Sequence, residues 1–232
     1  QTLLRRRRAG AAGVREAEMN VPIIDLGLEL TDNDCVVLEG LARDLEAGAV
    51  AALPTETVFG LCASVAHPGA LARIGRIKRR SADSPLAMFV RDLAAAAEWG
   101  DVPDWAERMI ADLWPGPLTV VLRARRPETK FLGSEGTVGI RVPNHAVCLL
   151  VVGAMAAPLA ATSANRSGSP PLATAEEVLA ELGSEVDAIV RVPSRGTGRA
   201  STVVDLCGDG PVVLREGEIP ARRIEAYLRG RV

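Results

Sequence analysis

Aromatic side chains make up only 3% of this chain, with one Tyr, three Phe and three Trp. That scarcity argues against a surface that grips single-stranded nucleic acid by stacking bases on rings. Net charge is nearly absent too: 27 Lys and Arg face 29 Asp and Glu, a formal balance of −2. Any anion site must therefore be local. Histidine is limited to His67 and His145, so a serine nucleophile has little chance of a neighbouring base. The four cysteines, Cys35, Cys62, Cys148 and Cys207, are far apart and form no CxxC pair, which argues against a zinc knuckle or a disulfide framework and predicts buried free thiols. No apolar run approaches the ~20 residues that a membrane helix needs. Neither GxxxxGK[ST] nor GxGxxG occurs, so a nucleotide site here is of neither the Walker nor the Rossmann kind.

What is present is a chain of 232 residues with 48% apolar content, enough for one substantial core. Residues 1–18, with Arg5 to Arg8 among Ala and Gly, carry no sustained apolar period and read as a flexible tail; residues 19–232 read as one domain. From Asn33 to Ala47 apolar residues recur at helical spacing up to Gly48. Ala49 to Leu53 then forms a short apolar run stopped by Pro54, which suits a buried strand. Further strands are expected at 118–122, 138–142, 159–161, 188–192, 202–206 and 212–214. Helices are expected at 70–77, 104–113, 146–155, 175–182 and 224–228. The alternation predicts an α/β or α+β layered domain with a twisted mixed sheet.

Polar segments at strand ends are where such domains carry chemistry. In PTETVFG (54–60), Thr55 and Thr57 suit a small polar ligand, or one of them caps a following helix. In IGRIKRRSADSPL (74–86), four cations, Arg76, Lys78, Arg79 and Arg80, fall within five residues. They are either a solvated helix end or a phosphate clamp beside the hydroxyls of Ser81 and Ser84. TSANRSG (162–168) sets Ser163 and Asn165 at a strand end, and Ser201 and Thr202 open the run STVVD. Trp114-Pro115-Gly116-Pro117 turns into a strand holding Thr119 and, at its far end, Arg123. Arg215 follows an apolar strand, where it either pairs with Glu216 or reaches a phosphate.

In this order PTETVFGL, KxRxxxxPL, WPGPLTVVL, VGIRVP, TSANRSG, STVVD and LREGEI resemble the YrdC family, the threonylcarbamoyl-AMP synthases, from about Gly40 to Ile219. The resemblance implies a twisted α/β sheet around a basic cavity. It also implies the joining of L-threonine, bicarbonate and ATP into threonylcarbamoyl-AMP, with release of pyrophosphate by a cytoplasmic nucleotidyltransferase. Mg²⁺ would accompany the ATP, and a separate transferase would deliver the group to the tRNA adenosine beside the anticodon. By the same resemblance Lys78 and Arg80 are the catalytic pair facing the phosphates. Ser84, Thr119, Asn165 and Arg215 lie along ATP, and Thr57, Arg123, Ser163 and Ser201 lie near threonine. The family often has Tyr at Phe59, Pro at Ser81, Asn at Ser84 and His at Phe89; Phe89 cannot hydrogen-bond a substrate. The chain resembles the short form without an extra C-terminal domain. The competing expectation is a paralogue of altered substrate, or a maturation factor that binds tRNA or double-stranded RNA through Arg76 to Arg80. Salt sensitivity separates the two.

Overall fold

A computed structural model of the chain describes residues 21–79, 85–132 and 136–228, the side chain of Leu228 excepted. The expected tail at 1–18, and Arg80, Ser81 and Ser84, lie outside the described residues. In chain order the first elements are β1 (Ile23–Asp25), α1 (Asp32–Glu46), β2 (Ala51–Leu53), β3 (Gly60–Ser64), α2 (Pro68–Lys78), β4 (Ala87–Phe89), α3 (Leu93–Trp99), β5 (Gly100–Asp101) and α4 (Asp104–Leu113). They continue with β6 (Leu118–Ala124), a 3-10 turn at Pro127–Leu132, β7 (Thr137–Arg141), α5 (Ala146–Gly153), β8 (Leu159–Ser163), α6 (Ala175–Leu182), β9 (Ala188–Arg191), β10 (Thr202–Asp205), β11 (Val212–Arg215) and α7 (Ala221–Leu228).

Local chemistry sets several boundaries. Thr31 and Asp34 cap α1 reciprocally, and Thr174 and Glu177 do the same for α6, each pair satisfying two otherwise orphaned N–H groups. The strands form one mixed sheet in the order β1-β9-β2-β3-β8-β4-β7-β6-β10-β11, with β5 added beside β6. Parallel and antiparallel neighbours alternate irregularly: β9 runs parallel to β2, β3 antiparallel to β8, and β4 parallel to β7.

Side-chain alternation along the strands divides the core in two. Ala51 and Leu53 of β2 pack with Leu38, Leu41 and Leu45 of α1 and with Val147 and Val151 of α5. Ala52 points the other way, into a cluster with Leu71, Ile74 and Ile77 of α2. The first half of the sheet is thus covered on both faces, which explains its continuous apolar strands. The second half is covered on one. Val120 and Leu122 of β6 and Val138 and Ile140 of β7 share the cluster of Met109 and Ile110 from α4. The alternate residues Thr119, Val121, Thr137, Gly139 and Arg141 line a cavity instead.

The layered mixed sheet matches the expectation from sequence. One expectation needs correcting: all four cysteines are free, but only Cys62 and Cys148 are buried, whereas Cys35 and Cys207 are half-buried. Burial pushes the Cys148 thiol up to about 12, the neighbouring Glu56 charge adding to the effect. It lies far from the thiolate range at neutral pH.

Candidate active site

The cavity, about 440 Å³, runs from β8 and β4, where Ala161 and Phe89 also join the cluster of α1 and α5, onto the uncovered face of β7, β6, β10 and β11, a size suited to a small-molecule site. Its walls include Thr57, Thr119, Ser163, Ser201 and Arg215, five residues that the sequence singled out. Phe89 forms an apolar part of the wall.

No helix follows PTETVFG; the segment is the turn between antiparallel β2 and β3. The helix-capping alternative is therefore overturned. Thr55 builds the turn through its hydroxyl, which accepts from Thr57 N and Val58 N, both at 3.1 Å, and donates to Val58 O at 2.6 Å. A second segment clamps it from outside. Thr197 N donates to Glu56 O (3.0 Å) and Gly198 N to Thr57 O (2.9 Å). Gly196 makes this approach feasible, because a Cβ there would sit 2.3 Å from Thr57 O.

Lys78 is not a solvated helix end. It is 5% exposed, and its Nζ donates to Ser163 O (2.6 Å), Asn165 O (3.0 Å) and Asn165 Oδ1 (2.8 Å). Ser163 Oγ is a fourth oxygen at 3.4 Å, and the charge stands behind the cavity wall formed by Ser163. Asn165, 6% exposed, is the other half of the clamp. Neither Lys78 nor Asn165 is among the lining residues, and Arg123 is also elsewhere: it is exposed and donates to Cys207 O at 2.9 Å. Arg79 is exposed as well, in a left-handed conformation at the end of α2.

On the far wall, Thr119 Oγ1 and Ser201 Oγ are 2.9 Å apart. Arg215 donates to Ser201 O (2.9 Å) and Ser201 Oγ (3.3 Å) and forms no pair with Glu216, whose carboxylate accepts from Ala221 N. Arg215 as a residue is exposed, but partial desolvation of its guanidinium, and secondarily the charge of Arg141, hold its pKa below the ordinary arginine value. Among the described residues no carboxylate pairs with Arg215. Arg215 is therefore the guanidinium on this wall whose charge an anion could compensate.

Arg141 itself escaped the reading of the sequence. Only 6% of its side chain is exposed; it lies 2.7 Å from Glu56 Oε1, and donates to Thr57 Oγ1 and Gly116 O, both at 3.1 Å. The contact with Glu56 is an ion pair without hydrogen-bond alignment. The guanidinium also faces the Phe89 ring, 5.6 Å from its centroid. The one available signal was an arginine closing the apolar run of VGIRVP. Its partner Glu56 is 85 positions away, a distance that no local pattern bridges.

Comparison with known proteins gives this geometry a context. Residues 43–217 match the family model Sua5/YciO/YrdC, described as "Telomere recombination". The chain belongs to the Sua5/YciO/YrdC family. It is 35% identical over 208 residues to the threonylcarbamoyl-AMP synthase of Bacillus subtilis, covering 88% of this chain and 60% of that one. It is also 35% identical over 185 residues to the threonylcarbamoyl-AMP synthase of Pyrococcus abyssi, with 78% and 54% covered. The crystal structure of P. abyssi Sua5 complexed with L-threonine superposes with a TM-score of 0.83 at 32% identity, over 89% of this chain and 60% of that one. This chain thus spans little more than half the length of these relatives.

Proposed function

We propose that this chain is a nucleotidyltransferase that makes threonylcarbamoyl-AMP from L-threonine, bicarbonate and ATP, releasing pyrophosphate. The observation that carries the reading is the composition of one cavity: Thr57, Ser163, Thr119 and Ser201 line it together with Arg141 and Arg215. Support comes from relatives named threonylcarbamoyl-AMP synthase and from a similar structure with L-threonine bound.

The reaction needs three things from the protein. The threonine amine must meet the carbon of bicarbonate to form a carbamate. A carbamate oxygen must then lie in line with the α-phosphorus, and the departing pyrophosphate needs positive charge. Orientation and fixed charge supply all three without a protein nucleophile. Thr57, Ser163 and Ser201 are assigned to threonine, and Arg215 and Thr119 to the nucleotide. Lys78 and Asn165 act through the Ser163 wall, and Arg80 and Ser84, outside the described residues, are assigned to ATP by resemblance alone. Arg123 is assigned to threonine by resemblance alone. Mg²⁺ enters on the phosphate oxygens as part of the ATP substrate. A separate transferase then carries the group to the tRNA adenosine, in the cytoplasm.

The test is incubation of the protein with ATP, labelled bicarbonate and L-threonine, followed by separation of nucleotides. The expected result is a labelled adenylate and equimolar pyrophosphate, both lost with Arg215→Ala. Pyrophosphate release that does not depend on threonine would overturn the reading.

A further inference from the structure

The connection from β9 to β10 touches both walls of the cavity. These strands stand second and ninth in the sheet order; in a flat sheet that is ~34 Å, at ~4.8 Å per strand. The residues from Arg191 to Thr202 reach at most ~40 Å, so the connection crosses with little slack. Toward the Thr57 wall, Thr197 N and Gly198 N hold the carbonyls of Glu56 and Thr57. Toward the Arg215 wall, Glu218 N donates to Ala200 O at 2.9 Å and Arg199 Nη2 to Gly217 O at 2.8 Å. Gly217 fits there because it lacks a Cβ, which would stand 2.2 Å from Ala200 O. Ala200 and Ser201 line the cavity themselves.

The middle of this strap is intrinsically loose. Gly196 and Gly198 flank Thr197, and Gly198 sits at φ 79°, a region that glycine enters without strain. One side chain offsets that freedom. Thr197 Oγ1 donates to Glu218 Oε2 at 3.0 Å and accepts from Arg199 N at 3.3 Å. Thr197 is exposed, Glu218 half-buried, and neither lines the cavity; a contact so placed adds little to global stability. Its importance is in what it joins: the strap that grips the Thr57 turn, and the residues that follow Arg215. Resting on the function proposed above, we infer that Thr197 and its acceptor Glu218 are positioning residues that lock the strap as a spacer of fixed length between the Thr57 wall and the Arg215 wall. The spacing matters because a carbamate oxygen must meet the α-phosphorus in line, and a displacement of ~1 Å can cost ~100-fold in rate. When the lock is lost each wall keeps its own contacts. Their separation changes, so the loss falls on turnover rather than on the binding of either substrate.

Three substitutions test this. Thr197→Val keeps the shape and removes the hydroxyl, Thr197→Ser keeps the hydroxyl, and Glu218→Ala removes the acceptor. Thr197→Val and Glu218→Ala should each lower kcat about tenfold or more, with the KM values for threonine and ATP within about twofold. Combining them should cost nothing further, since both remove one contact. Thr197→Ser should keep kcat within about twofold of the parent, and Tm should move by less than about 4 °C throughout. Hydrogen exchange gives a readout independent of activity. The amides of Thr197 and Gly198 should exchange about tenfold faster in Thr197→Val, while that of buried Phe59, bonded to Leu172 O, stays unchanged. Unchanged kcat or unchanged exchange in Thr197→Val, or equal impairment by Thr197→Ser and Thr197→Val, would overturn the inference. A parent protein that forms no threonine-dependent adenylate would instead remove the function proposed above, and the exchange rates would still decide whether the strap is locked.

Discussion

Replacing Lys78 by Met keeps most of the apolar stem and removes the ammonium, so it isolates the value of the clamp. Four acceptors are affected, the most distant being Ser163 Oγ at 3.4 Å, which keeps its own bond to Asn165 Oδ1. Ser163 O retains a donor in Asn165 N at 3.1 Å, and Asn165 Oδ1 retains the Ser163 hydroxyl. Asn165 O loses its 3.0 Å partner. One buried carbonyl left without a donor costs ~1–3 kcal/mol, and two weakened charge-assisted bonds add to it, while the absent cost of burying an ammonium subtracts. The net expectation is a loss of ~2–3 kcal/mol, or roughly 5–10 °C in Tm for a domain of this size. Thermal unfolding followed by circular dichroism measures it, with Arg79→Ala as the control on an exposed neighbour. Since Ser163 then loses a fixed partner, threonine binding should weaken in the same variant even well below its Tm. A Tm within about 2 °C of the parent would refute the clamp and return Lys78 to the role of a free phosphate ligand.

Two other perturbations are specific enough to fail. Gly196→Ala sets a Cβ 2.3 Å from Thr57 O and 2.9 Å from Thr55 O. The segment must lift, losing its bonds to Glu56 O and Thr57 O, at a cost of ~1–3 kcal/mol in chemical unfolding; unchanged stability would show that the close approach is absent. Burial holds the His145 imidazole below its ordinary value of 6.5, the nearby Glu56 opposing this more weakly. The unfolded chain therefore takes up the proton first, and stability should fall as pH drops below about 6.5. His145→Gln should flatten that part of the stability profile, and an identical slope in the variant would assign it to other groups.

Legibility in the sequence followed the strength of the local signal. α4 and α6 occupy the predicted spans 104–113 and 175–182, because an amphipathic period defines the first and a capping box with the same kind of period defines the second. The strand β3, Gly-Leu-Cys-Ala-Ser, was invisible: it is buried along its whole length and built from small residues of weak strand preference. β4 has three residues and α3 seven, with a run of alanines and no period to read. In the site, hydroxyls and Arg215 at strand ends were readable as candidates since polar residues there need a reason. The partners were not. That Lys78 turns inward to Asn165, and Glu56 to Arg141, depends on which strands become neighbours across the sheet.

The uncovered half of the sheet has a consequence for how such a site can change. Along β6 and β7 each strand carries two interleaved alphabets: Val120, Leu122, Val138 and Ile140 are written for the packed layer, Thr119, Val121, Thr137 and Gly139 for the cavity. Adjacent letters face opposite sides, so one set can be rewritten with little disturbance of the other. A family built on this plan can diversify what it binds by drift at every second position while its packed layer stays under an unrelated constraint. A library randomised only at those alternate positions would therefore sample new ligands without first having to rediscover the fold.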